Sequence, residues 1–156
     1  MKILFLDIDG VLNSGNYQTY LIEHELPTHE NNCQVFDPSC VYALMKIVAY
    51  TQCKIVISSS WRKKGLEAMK KLWKDRDLPG EVIDITPLSN SRIRGEEIEQ
   101  WLEEYKSMNQ EDIIYCIIDD DRDMYPHQPF VKTNGMKGLT DKDADKVIKI
   151  LGKIDE

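Results

Sequence analysis

No stretch of the chain approaches the length of apolar sequence needed to span a bilayer, which excludes a helical membrane protein. Cysteine is sparse and unpatterned. Cys33, Cys40, Cys53 and Cys116 form no Cys-x-x-Cys pair and have no histidine at zinc-finger spacing, which argues against a structural zinc site. Reduced thiols are expected, with Cys53 and Cys116 as small core residues because they adjoin or sit inside apolar runs. Histidine is scarcer still: His24, His29 and His127 stand in polar segments, and no chemistry is assigned to them. An excess of positive charge is also lacking. The 20 basic and 27 acidic residues leave a net charge of −7, which excludes attachment to nucleic acid by bulk charge alone. A nucleic-acid end received by a local basic patch is still compatible with that balance. The amino terminus carries one lysine and then an apolar run containing Asp7, which does not fit a signal peptide, so a cytoplasmic location is expected. Internal repeats and low-complexity tracts are missing too, and 156 residues suit a single domain, 1–156, with its own core.

What is present is an alternation of strands and helices. Lys2–Leu6, Lys54–Ile57 and Ile113–Ile118 read as buried parallel strands, because they are apolar on both faces. Asp37-Pro38 opens a helix, with aspartate as N-cap and proline at the first helical position. Gly65 to Lys74 and Arg94 to Tyr105 carry helical apolar stripes, and Pro79-Gly80 is a turn before a short strand, Glu81–Ile85. Phe130–Thr133 is read as a last strand, followed by the helix Asp141–Leu151 with Thr140 as its cap. Between the first strand and Asp37, residues 14–36 look polar and loop-like. The pattern predicts an α/β fold with a parallel sheet flanked by helices.

In such sheets function gathers at the carboxyl ends of the strands. The first strand ends in Asp7-Ile8-Asp9-Gly10, the second in Ser58-Ser59-Ser60-Trp61-Arg62, and the third in Asp119-Asp120-Asp121-Arg122-Asp123. Two carboxylates taken out of water together repel each other unless a cation or a shared proton intervenes. Gly10 permits a sharp departure of the backbone after them. A serine cluster alone is a turn, and an acidic cluster alone is a solvated loop. Three strand ends with complementary chemistry are much harder to dismiss together.

The combination resembles the haloacid dehalogenase (HAD) superfamily of phosphohydrolases. More narrowly, Leu6–Asn13, Ser58–Arg62, Arg94–Ile98 and Ile118–Arg122 look like the small HAD domains associated with RNA repair proteins. The resemblance implies a three-layer Rossmann-like fold with a minimal (C0-type) cap. It implies a magnesium-dependent phosphatase in which Asp7 is the nucleophile and forms an aspartyl-phosphate, and Asp9 is the general acid and base. Mg²⁺ would be held by Asp7, the Asp9 backbone carbonyl, and Asp119 or Asp120. Ser59 is the first choice for the hydroxyl that binds the phosphoryl group, with Ser58 as the alternative. The family usually supplies a lysine as its catalytic cation. Here Arg94 is best placed, with Lys63 and Arg62 as further candidates, and Arg62 is also a candidate for bidentate contacts with a substrate phosphate. Asp123 is expected to support the metal site, and Asp121 to face solvent.

The chain has no room for a cap domain, so residues 14–36 are expected to form a flap over an open site. An open site suits a large phosphorylated substrate, such as a nucleic-acid end or a nucleotide. Arg62, Lys63, Lys64, Arg92 and Arg94 are placed near the mouth to take neighbouring phosphates, while Tyr17, Tyr20 and Tyr125 stack on a base or pack the flap down. Two other readings keep the same residues: a non-catalytic module that binds magnesium and phosphate, and a receiver-like domain. Receivers place the phosphorylated aspartate after a middle strand, whereas here that strand ends in serines.

Overall fold

A computed structural model describes residues 1–154. In chain order the elements are β1 (Lys2–Leu6), α1 (Gly15–Glu23), β2 (His29–Glu30), β3 (Cys33–Gln34), α2 (Pro38–Thr51) and β4 (Lys54–Ile57). A 3-10 turn (Ser60–Lys64) leads into α3 (Leu66–Asp75), followed by β5 (Val82–Ile85), α4 (Arg94–Met108), β6 (Ile114–Asp119), β7 (Phe130–Lys132) and α5 (Asp141–Leu151).

The main sheet has the order β5-β4-β1-β6-β7, and each neighbouring pair is parallel. The chain starts at the centre, moves outward through β4 and β5, then returns through α4 to the other side of β1. The order therefore reverses between β1 and β6, the kind of crevice where α/β sheets bind ligands. Side-chain alternation splits the interior into two layers. Leu4, Leu6, Ile55, Ile57, Cys116 and Ile118 pack with α2, α3 and α5. Ile3, Phe5, Val56 and Ile117 pack beneath Ile98, Trp101 and Leu102 of α4. This is the three-layer α/β architecture expected, and the caps at Asp37 and Thr140 form as read. The four cysteines are free, with Cys53 and Cys116 in the core. No helix is long and apolar enough to cross a membrane among the described residues.

Residues 14–36 depart from the loop expected of them. They hold helix α1 and a small antiparallel hairpin, β2–β3. Only Leu21 of α1 is buried, so amphipathic patterning gave little signal. The helix is fixed from its start instead. Ser14 Oγ accepts from Tyr17 N at 3.1 Å and donates to Asp37 Oδ2 at 2.7 Å, while Gly15 N and Asn16 N donate to the carbonyls of Gly135 and Met136. Arg76, at the end of α3, donates to the carbonyls of Gln34 (2.7 Å) and Cys33 (3.2 Å), and its guanidinium lies over the Phe36 ring.

Arg62 also differs from its expected role. It is buried and faces inward, and its donors are already taken. Nε donates to Thr86 O at 3.0 Å, Nη1 to the carbonyls of Ser58 and Ser59 at 2.9 Å each, and Nη2 to Glu97 Oε1 at 2.8 Å. One side chain thus ties the ends of β4 and β5 to α4. A buried charge with these partners is a structural clamp, with no donor left for a substrate phosphate. Removing one partner of such a pair costs about 3–5 kcal/mol because the other is left uncompensated. Arg62→Met should lower the unfolding free energy by about that amount, read as a lower urea midpoint at unchanged slope. An unchanged midpoint would show that the clamp is dispensable.

Candidate active site

Strand register sets the first row of the site. Leu6 pairs with Ile57 on one side and Ile118 on the other, so the following Asp7, Ser58 and Asp119 stand side by side. Asp7 N donates to Ile118 O at 3.0 Å and Ser58 N to Leu6 O at 3.1 Å, continuing the ladder past the strand ends. Alternation turns this row toward the face covered by α4. There Arg94 opens the helix. Its Nη1 donates to Asp119 Oδ2 at 2.7 Å and to Asp7 Oδ1 at 3.3 Å.

The helix end that carries Arg94 is held by Asp123, whose Oδ2 accepts from Arg94 N and whose carbonyl accepts from Gly95 N, both at 2.9 Å. Asp123 therefore caps α4 instead of contacting the carboxylate row. A Cβ at Gly95 would crowd the main chain of Asp123 and Met124, so glycine is needed for this close approach. Gly10 has a φ of +75°, and a Cβ there would collide with the Asp120 carboxylate. Glycine thus lets Asp120 lean in. Asp7, Asp119 and Asp120 each present a carboxylate oxygen within 4.8 Å of the others.

The two serine candidates separate cleanly. Ser59 Oγ accepts from Trp61 N at 3.2 Å and caps the 3-10 turn. Ser58 Oγ is buried beside Asp7 and has no partner, as does Thr86 Oγ1 at the end of β5. Buried hydroxyls are rarely left unpaired, so Ser58, the alternative, has the better claim to a ligand than Ser59, the first choice. The cation candidates separate as well. Arg94 lies on the carboxylates, Arg62 is the internal clamp, and Lys63 is exposed on a different cleft.

Asp9 lies outside the row, exposed, with Oδ1 accepting from Asn13 Nδ2 at 2.8 Å and from Trp61 Nε1 at 3.1 Å. Neither contact was anticipated. The only sequence signal for the Asn13 contact was its place four residues after Asp9 in the same loop, where its Oδ1 also accepts from Gly10 N at 2.9 Å. Trp61 left none, since only the folding of the 3-10 turn brings it to Asp9. Both border an open cleft of about 670 Å³ that also touches Gly10, Asp120 and the β2–β3 hairpin. Lys64 lies over the Trp61 ring at 5.1 Å and donates to Cys33 Sγ at 2.9 Å, joining the hairpin to the turn. Tyr17 stacks on Tyr20, and Tyr125 on His127, all outside the carboxylate row. Asp121 is exposed, as expected.

Residues 3–144 match the family described as the HAD domain in Swiss Army Knife RNA repair proteins. The chain belongs to that family. No curated protein and no solved structure matches it. For a HAD domain, the parallel sheet with acidic residues at the ends of its two central strands is the expected frame.

The electrostatics of this HAD site favour a proton or a cation among its carboxylates. Burial first, then the neighbouring Asp119, push the Asp7 carboxyl up to about 8, against the opposing pull of Arg94. Burial also raises Asp119, again opposed by Arg94. One guanidinium faces three carboxylates, and an all-oxygen donor set fits a hard divalent cation. The sign of the linkage follows. Asp7 ordinarily titrates at 3.8, so its proton stabilises the metal-free fold fully below that pH, and the contribution is lost as pH rises through about 8. A divalent cation bound by these carboxylates would take the place of that proton. Millimolar magnesium should therefore raise the melting temperature more near pH 8 than near pH 5.5, by a few degrees, and Asp119→Asn should remove the shift. Equal shifts at both pH values would place the ion elsewhere.

Proposed function

We propose that the chain is a magnesium-dependent phosphohydrolase that acts on phosphate monoesters through an aspartyl-phosphate, with a phosphorylated nucleic-acid end or nucleotide as its substrate class. The observation that carries this reading is the Ser58–Asp7–Asp119 row under Arg94, in which a buried carboxylate, a free hydroxyl and a guanidinium converge. The RNA repair proteins in the family's description favour a nucleic-acid substrate.

In this reading Asp7 attacks phosphorus in line and displaces the alcohol. Ser58 Oγ–H donates to a phosphoryl oxygen, and Arg94 stabilises the charge spread over the transferring group. Asp9, held by Asn13 and Trp61 on the open side, gives its proton to the departing alkoxide. It then takes a proton from the water that hydrolyses the aspartyl-phosphate. The Asp7, Asp119 and Asp120 carboxylates and the Asp9 carbonyl would hold Mg²⁺. When bound, the ion offsets repulsion between the nucleophile and the phosphate and polarises the phosphoryl group. Arg94 takes the part that lysine plays in most of the superfamily. Its planar fork can contact Asp7 and Asp119 together and still offer donors to a phosphate. The alcohol occupies the 670 Å³ cleft beside Asp9, walled by Trp61 and the hairpin, which is large enough for a nucleoside.

Phosphate release from p-nitrophenyl phosphate and from 3′- and 5′-phosphorylated oligonucleotides, with and without magnesium, tests the reading. Wild type should release phosphate only with the metal, and Asp7→Asn should release none. Ser58→Ala should lower kcat by roughly 10²-fold, as loss of one transition-state donor does, while Ser59→Ala changes it far less. Folded protein inert on every substrate with magnesium present would leave the fold as a binding module.

A further inference from the structure

A second cleft, of about 500 Å³, adjoins the first at Ser60. Ser60 lines both, so the two meet beside the reaction centre, one holding Asp9 and Trp61, the other Arg94, Lys63 and Arg92. Cations that line a cleft without a carboxylate partner are open to an anionic ligand. Lys63 and Arg92 pair with no carboxylate among the described residues. The one carboxylate lining this cleft, Glu97, is already bound to Arg62 at 2.8 Å and to Ser89 N at 2.9 Å.

The arginine is also held in place. Its main chain sits at a φ of +59°, an uncommon conformation for a residue other than glycine. Arg92 N donates to Ser89 Oγ at 3.1 Å and to Ser89 O at 3.3 Å, and Ser89 in turn hangs on Glu97. A cation on a loop anchored this way loses less freedom on binding an anion than one on a free loop.

We propose that this second cleft binds a further phosphate of the same substrate, so that preferred substrates carry two phosphates about one nucleotide unit apart. The inference rests on the phosphatase reading for which phosphate is cleaved. Arg94 stabilises the scissile group, and Lys63 and Arg92, with the Ser60 hydroxyl, receive the neighbour. Two cations without carboxylates can accept a dianionic monoester or a bridging diester, and a simple monoester leaves them empty.

Two measurements test this. The first is the ratio of kcat/KM for adenosine 3′,5′-bisphosphate and for a 3′-phosphorylated dinucleotide to that for adenosine 3′-monophosphate. Wild type should favour the doubly phosphorylated compounds by roughly tenfold or more, and Arg92→Ala or Lys63→Ala should bring the ratio toward one. Which of the two compounds leads says whether the cleft takes a terminal or a bridging phosphate. The second is calorimetric binding of adenosine 3′,5′-bisphosphate and adenosine 3′-monophosphate to Asp7→Asn protein, which reads the cleft whether or not wild type turns over. Equal affinities there, or a wild-type ratio near one alongside good turnover of p-nitrophenyl phosphate, would overturn the second-phosphate cleft and leave the phosphatase reading intact. Tighter binding of the bisphosphate without turnover of any ester would keep the cleft and remove the phosphatase reading.

Discussion

The Arg62–Glu97 ion pair is the constraint on which the geometry of the site depends. It is nearly dry, with the two side chains 3% and 4% exposed. A guanidinium in such a place must find acceptors for its N–H groups, and here it finds them in the main-chain ends of β4 and β5. Glu97 uses its other oxygen to anchor Ser89, and with it the loop that carries Arg92. Because Glu97 lies one helical turn after Arg94, the same pair also sets where the start of α4 meets the sheet. Ser58, Arg94 and Arg92 lie far apart in the sequence, and their positions are locked to one buried contact.

Around that frame the charges are deliberately unbalanced. The sheet register delivers Asp7 and Asp119 to adjacent positions, and Gly10 admits Asp120 beside them. Arg94 alone does not offset burial and the neighbouring carboxylates, since both carboxyls stay above their ordinary range. The site's oxygen-only donor set fits a hard divalent cation. Burial beneath the α4 layer keeps the Asp7 and Asp119 carboxylates from being freely solvated.

Instead of an inserted domain, α1 and a two-strand hairpin wall one side of the open cleft, tied down by the Ser14 cap, Arg76 and the Lys64–Cys33 contact. Trp61 links this wall to the chemistry. Its N–H orients Asp9 while its ring borders the space beside it.

The sequence by itself determined the layers and the strand-end chemistry. Short apolar runs such as Ile3–Leu6, bounded by turn and polar residues, read as buried strands, and Asp37, Pro38 and Thr140 announce helix starts by bonds to the first helical turn. Asp7, Asp119 and Asp120 were legible for the same reason, as charged residues placed where apolar strands stop. Tertiary structure decided everything that depended on register, on burial or on a partner remote in sequence. Local pattern could not choose between Ser58 and Ser59, because one residue of shift exchanges the face each presents. It could not show Arg62 turning inward, because a surface arginine and a buried clamp read alike until Glu97, 35 residues away, is brought beside it. Helix α1 was hidden because its stability comes from its capped, anchored start and not from an apolar stripe. The pairing of Trp61 with Asp9 was hidden because it exists only where two strand ends, separate in sequence, become neighbours in the sheet.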